Sequence, residues 1–172
     1  MVIEWCIALF NSDQAFSFAK KNNMKSIYNS NDNQELIQRI NQLNPDSKAL
    51  WGKMKVDQML MHTNAAAEIA FGKKELKINF LMKLFGKMLK NKVFNSEFKK
   101  NSPTAPEFIF KEQYNFDETK NELIQNVELL QNGHKTITVM NHPFWGKMSY
   151  EDWDKLMFKH LDHHLKQFGV EL

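Results

Sequence analysis

Three histidines, His160, His163 and His164, fall within five consecutive residues near the end of the chain, in a segment whose apolar residues recur at helical spacing. On an α-helix, His160 and His164 stand about one turn apart, roughly 6 Å along the axis, with side chains leaning the same way, so both can reach one ion. Trp153, Leu156, Met157, Leu161 and Phe168 share their arc, which places the pair inside a stripe that must be buried. His163 falls on the border of that stripe and is expected beside the site or exposed, whereas Lys159, Asp162 and Lys166 project toward solvent. A histidine pair spaced by four is a common coincidence. Two polar rings in a buried stripe still need partners, and a metal ion serves both.

A third imidazole stands far upstream. The segment Val56 to Phe71 reads VDQMLMHTNAAAEIAF, and His62 shares a face there with Met59, Ala66 and Ile69. Ala65, Ala66 and Ala67 are small enough to let another helix approach. Alone, His62 could equally be a satisfied core histidine. One ligand from one helix and two from another would supply three neutral nitrogens and leave coordination positions open, as a catalytic rather than a structural site requires. Asp, Glu or water could complete the shell. His142, just before Pro143, is expected to brace a loop rather than ligate, and His134 is expected on the surface.

The elements that would position these residues can be read from the punctuation. Asn44-Pro45-Asp46, Asn101 to Pro106, Asn132-Gly133 and His142-Pro143 break the chain into helical stretches. The first is expected over about Asp32 to Leu43, with Asp32 and Glu35 as a capping box and Leu36, Ile37, Ile40 and Leu43 inward. The second is Val56 to Phe71, where Lys55 replaces the usual Ser or Thr cap at a cost of about 1 kcal/mol. The apolar segment Ile78 to Leu89 reads as a wall or lid helix packed on the others, with a membrane-surface role as the lesser alternative. Asn91 to Tyr114 reads as an ordered loop or crossover. A third main helix spans about Asp117 to Asn132, with Leu123, Val127 and Leu130 inward and Asn132-Gly133 as its stop, and Lys135 to Met140 is too isolated to form a sheet. Ser149 and Asp152 cap the last helix, and Gly169 ends it. The fold class is therefore all-α, a four-helix bundle with a crossover between the second and third main helices.

Composition narrows the function classes. At 172 residues and 42% hydrophobic content the chain fits one domain with one core. A net charge of +3, with lysines spread along the sequence and no recognised nucleic-acid module, argues against a nucleic-acid partner. The single cysteine, Cys6, forms no intrachain disulfide and fits a reducing, cytoplasmic setting. Val2 to Phe10 is apolar apart from Glu4, too short to span a bilayer and without the basic start of a signal peptide. Residues 1–23 read as an N-terminal extension or a misassigned start, and residues 24–172 as the domain.

Four stretches carry a family resemblance: Leu50-Trp51-Gly52-Lys53-Met54, Gln58 to His62, His142 to Met148, and Lys159 to Gly169. From about Met24 onward the chain resembles the DinB/YfiT-like metalloenzyme superfamily, closest to a branch of unknown function, and the ending HPFWGKMSYEDWDKLMFKHLDHHLKQFG is its most specific part. The resemblance implies an up-down-down-up four-helix bundle holding a divalent ion, zinc or nickel, on His62, His160 and His164. It further implies thiol-dependent S-transfer or metal-dependent hydrolysis or isomerisation of a small molecule, with a low-molecular-weight thiol as one candidate cosubstrate. Residues 1–23 have no counterpart in it. No general base can be assigned, because Asp162 points away and Glu68 lies about 120° from His62 around the helix. Two alternatives stand beside the enzyme: a non-catalytic metal-binding bundle, and a carrier of small apolar ligands with Phe80 to Leu89 lining its pocket. Homodimerisation is left open, and stable membrane insertion is not expected.

Overall fold

Helix α1 (Ser30–Gln42) starts from Asn29, whose side-chain oxygen accepts from the backbone N–H groups of Asn31 at 2.9 Å and Asp32 at 3.2 Å. Asp32, expected as the cap, sits instead in the first turn, where its carboxylate favours the positive helix end and accepts from Ser26 N at 2.9 Å. Glu35 is drawn off to Lys25. The expected stripe holds: Leu36, Ile37, Ile40 and Leu43 are all buried. The computed structural model describes residues 25–102 and 104–171, so the expected extension over residues 1–23, with Cys6, lies outside the described residues.

Helix α2 (Val56–Ala70) begins without a side-chain acceptor at Lys55, as expected. Part of that loss is offset nearby: Gln58 Oε1 accepts from Lys55 N at 3.0 Å, and Asp57 in the first turn accepts from Tyr114 N at 2.9 Å. Beyond a long connection lies α4 (Phe116–Gln131), capped by Asn115 and packed closely on α2. The small residues Ala65 and Ala67 are buried on α2, and a polar ladder fixes the register between the two helices. Asn126 donates to Asn64 at 3.0 Å, and Asn64 donates to Thr119 O at 3.0 Å. Leu123, Val127 and Leu130 point inward as expected. The helix stops at Asn132-Gly133 as expected, with Asn132 as its C-cap, and a separate single turn, α5 (Gly133–Thr136), follows.

A short antiparallel hairpin follows, β1 (Asn141–His142) and β2 (Gly146–Lys147), which the periodicity of the preceding residues does not announce. His142 organises it. Its Nδ1 accepts from the backbone N–H groups of Phe144 at 3.0 Å and Trp145 at 3.2 Å, and its ring lies 5.5 Å from that of Trp153, so it braces the loop. Burial, aided by the Lys90 charge, pushes its pKa down to about 4. Because the folded value lies below the ordinary 6.5, stability is full above pH 6.5 and declines as pH falls from there to about 4. His142→Asn keeps an acceptor at the same position without the titration. Urea unfolding at pH 7 and pH 4 should show about 3 kcal/mol less acid destabilisation in this variant than in wild type; equal pH slopes would contradict the assignment.

The last helix, α6 (Tyr150–Gln167), carries the expected box: Asp152 N donates to Ser149 Oγ at 3.1 Å, and Ser149 N to Asp152 Oδ2 at 2.9 Å. It ends at Gly169, whose φ of +71° would strain any other residue. Its inner face presents Trp153, Leu156, Met157, Leu161 and Leu165 to a core shared with α1, α2 and α4. Two side chains expected on the solvent face are instead structural. Asp162 accepts from the buried Arg39 of α1 at 2.8 Å and from Lys166 at 2.8 Å. Lys159 donates to the carbonyls of Val93 at 2.9 Å and Phe94 at 3.2 Å, and also to Ser96.

Those carbonyls close helix α3 (Phe80–Phe94), which runs five residues past the expected segment and departs from its expected role. It rests on the body along one edge only, through Phe94, Lys90 and Gly86. Lys90 pairs with Asp152 at 2.8 Å. At Gly86 a Cβ would lie 2.2 Å from Phe144 O, so only glycine permits this approach to the hairpin. Phe80, Leu81, Leu84, Phe85 and Met88, expected to pack inward or line a pocket, are exposed. The chain is predominantly helical, and among the described residues no helix is long and apolar enough to cross a membrane.

Candidate metal centre

The three anticipated histidines come together. His62 from α2 and His160 and His164 from α6 each offer a ring nitrogen, and these nitrogens lie within 4.8 Å of one another. Ring centroids are 4.9 Å apart for His62 and His160, 4.8 Å for His62 and His164, and 4.7 Å for His160 and His164. The α6 spacing supplies the pair, and the α2–α6 packing brings the third ring to it.

Hydrogen bonds orient two of the rings. His62 Nδ1 lies 3.1 Å from the Phe108 carbonyl, which can only accept, so Nδ1 carries the proton and the Nε2 lone pair faces the cluster. His164 Nδ1 lies 2.8 Å from Gln167 Oε1. Gln167 is itself held the right way round, because its Nε2 donates to Trp51 O at 2.8 Å. His164 therefore also protonates Nδ1 and turns its Nε2 lone pair inward. His62 Nε2 and His160 Nε2 are 2.9 Å apart. With His62 accepting, His160 Nε2 is the donor of that contact, and the proton is the one a cation would displace.

Electrostatics keep all three rings neutral. Burial pushes His62 below its ordinary value. It pushes His160 well below, with His164 and His62 adding to the effect, and takes His164 to about 3. Three neutral nitrogens in a group that resists protonation are the donor set a divalent ion requires. Around a tetrahedral ion such nitrogens stand roughly 3.3 Å apart, and the 2.9 Å contact lies close to that separation. The residues present fit the group.

His163 stands beside this cluster, as its place on the stripe border implies. It is half-buried, its ring 5.8 Å from Trp51 and 5.8 Å from Phe98 in edge-on contacts. Phe98 reaches His160 at 6.2 Å, and Phe108 packs on His62 at 5.6 Å. Lys100 lies over Trp51, 4.3 Å from the ring centroid. His142 and His134 are elsewhere: the first braces the hairpin, and the second lies against Tyr150 with ring centroids 3.9 Å apart and planes tilted by 48°.

Sequence reading missed the supporting residues. Gln167, three positions after His164 on the same helix, had a detectable signal in that spacing. The Phe108 carbonyl had none, since it arrives through the 3₁₀ turn Pro106–Phe108 in the long connection. Replacing Gln167 by Leu should leave folding nearly intact and weaken metal binding about 10–100-fold in a zinc titration, with Gln167→Glu retaining most of the affinity. Undiminished affinity in Gln167→Leu would show that His164 is oriented by packing alone.

Residues 22–170 match the family described as Protein of unknown function (DUF1569). The chain belongs to that family. The match takes in the six helices of the described residues and the three histidines. No curated protein and no solved structure matches the chain.

Proposed function

We propose that this protein is a divalent-metal-dependent enzyme of the DinB/YfiT-like kind, acting on a small molecule by thiol-dependent S-transfer or by hydrolysis, with zinc or nickel on His62, His160 and His164. One observation carries the reading: three neutral imidazoles from two helices converge, and two of them are turned inward by hydrogen bonds to Phe108 O and Gln167. The architecture supports it. The long helices α1, α2, α4 and α6 share one core, and the connection from α2 to α4 is long enough for the crossover of an up-down-down-up bundle. Cysteine usage supports a cytoplasmic setting.

A divalent ion so held supplies Lewis acidity, raising the acidity of water or of a thiol at neutral pH. The chain's own residues do the rest. His62 and His164 bind through Nε2 while Phe108 O and Gln167 fix their rings. Phe98 and Phe108 limit water on the side of His160 and His62. Among the described residues no carboxylate hydrogen-bonds to the three rings, and no general base is assigned.

The purely metal-binding reading shares the same site and differs only in turnover. The carrier reading places Phe80 to Leu89 along a pocket, whereas Phe80, Leu81, Leu84, Phe85 and Met88 are exposed, which favours the metal-binding readings. The test is to assay zinc- and nickel-loaded protein for transfer of small thiols to electrophiles and for ester and amide hydrolysis. Activity abolished by chelation and restored by one equivalent of metal is the expected result. Absence of turnover across both panels in fully loaded protein would leave the non-catalytic metal-binding reading standing.

A further inference from the structure

The outer face of α3 has no role in the site. Plotted around the helix, Phe80, Leu84, Met88, Leu81 and Phe85 fill one arc of about 140°, directed away from the edge that meets the hairpin and α6. Phe80 is 77% exposed and Met88 74%. Among the described residues nothing covers them, and a stripe of this size on a water-exposed helix marks a contact surface.

Charge indicates what that contact is. Residues 72–94 hold seven lysines against the single Glu75, so the rest of the chain carries a net negative charge although the whole is +3. On α3 itself Lys83 and Lys87 border one side of the apolar arc, Lys92 follows Met88 by one turn at the C-terminal end of the arc, and the helix has no acidic residue. A second copy of this chain would bring the same lysines face to face with its own. An apolar face edged by lysines suits a lipid surface bearing negative headgroups, where the rings and methionines enter the acyl boundary and the ammonium groups stay at headgroup level.

We propose that α3 docks the protein reversibly on anionic membrane surfaces, lying in the interface with its Phe80–Met88 face inserted. The attachment of α3 allows it. Lys90, Gly86 and Phe94 hold the helix to the body along the opposite edge, and Lys159 closes its C-terminal carbonyls, so the apolar arc is presented on a fixed support rather than a free arm.

The test is co-sedimentation of the full chain with vesicles of phosphatidylcholine alone and of phosphatidylcholine with about 30% phosphatidylserine. Binding at least about tenfold stronger to the anionic vesicles, and weakened by salt, is expected. Phe80→Ser/Leu84→Ser/Met88→Ser should abolish it, and Lys83→Glu/Lys87→Glu should reduce it about tenfold or more. Both variants alter exposed side chains, and their circular dichroism and metal content should match wild type. Wild-type protein that stays in the supernatant with both vesicles would overturn the proposal, whether a second copy or residues 1–23 then occupies the face. Binding that survives the triple serine variant would overturn it as well.

Discussion

Zinc titrated calorimetrically into the His160→Ala/His164→Ala variant is expected to give no saturable binding, while wild type binds one equivalent. Two of three nitrogens are removed, and His62 alone leaves a site no better than an isolated surface imidazole. His62→Ala should lower affinity by more than about 100-fold, since losing a ligand costs more than losing a residue that merely orients one. His163→Ala should retain wild-type stoichiometry, because its ring packs against Trp51 and Phe98 outside the cluster. Affinity should also hold to lower pH than that of exposed histidines. Protons compete with metal only below the imidazole pKa, and burial takes all three ligands below the ordinary value, His164 to about 3. A His163→Ala variant that loses metal while His164→Ala keeps it would reverse the face assignment.

The second large effect concerns stability. Arg39 is almost wholly buried, with 3% of its side chain exposed, and its charge is answered by Asp162 at 2.8 Å and by the Val170 carbonyl at 3.0 Å. Burial alone would raise the Asp162 pKa, but hydrogen bonds from Lys166 and Arg39 outweigh it and hold the carboxyl below its ordinary value. Its contribution is thus present above the unfolded carboxylate pKa and lost as pH falls through the folded one. Asp162→Ala strands the guanidinium and should cost about 3 kcal/mol in urea unfolding at pH 7. The double variant Arg39→Met/Asp162→Leu should recover much of that, because no buried charge remains unanswered. A single variant within about 0.5 kcal/mol of wild type would mean that the backbone carbonyl suffices for Arg39.

Much of this was legible in the sequence where one helix governs the outcome. The 3.6-residue period placed His160 and His164 on one core-facing side, where His164 is buried and His160 partly so, with His163 on its edge, and Ser149 with Asp152 located the start of α6. What lay beyond a single helix was hidden. Asp162 faces away from the core stripe as periodicity says, yet Arg39 comes from α1 to meet it there. Asn29 outcompeted Asp32 for the cap because Asp32 was taken by Ser26 N, a contact no local rule contains. The apolar run at Ile78 to Leu89 read as a wall or lid helix packed on the others because hydrophobicity does not specify its partner, and α3 touches the body only along its other edge.

The central claim is that three imidazoles bind one ion through Nε2, and anomalous diffraction at the absorption edge of the bound metal tests it most directly. One peak per chain, about 2.0–2.1 Å from Nε2 of His62, His160 and His164, is the predicted result. A peak on His163, on His142 or away from α6, or a crystal grown in excess zinc with no peak at the cluster, would contradict it.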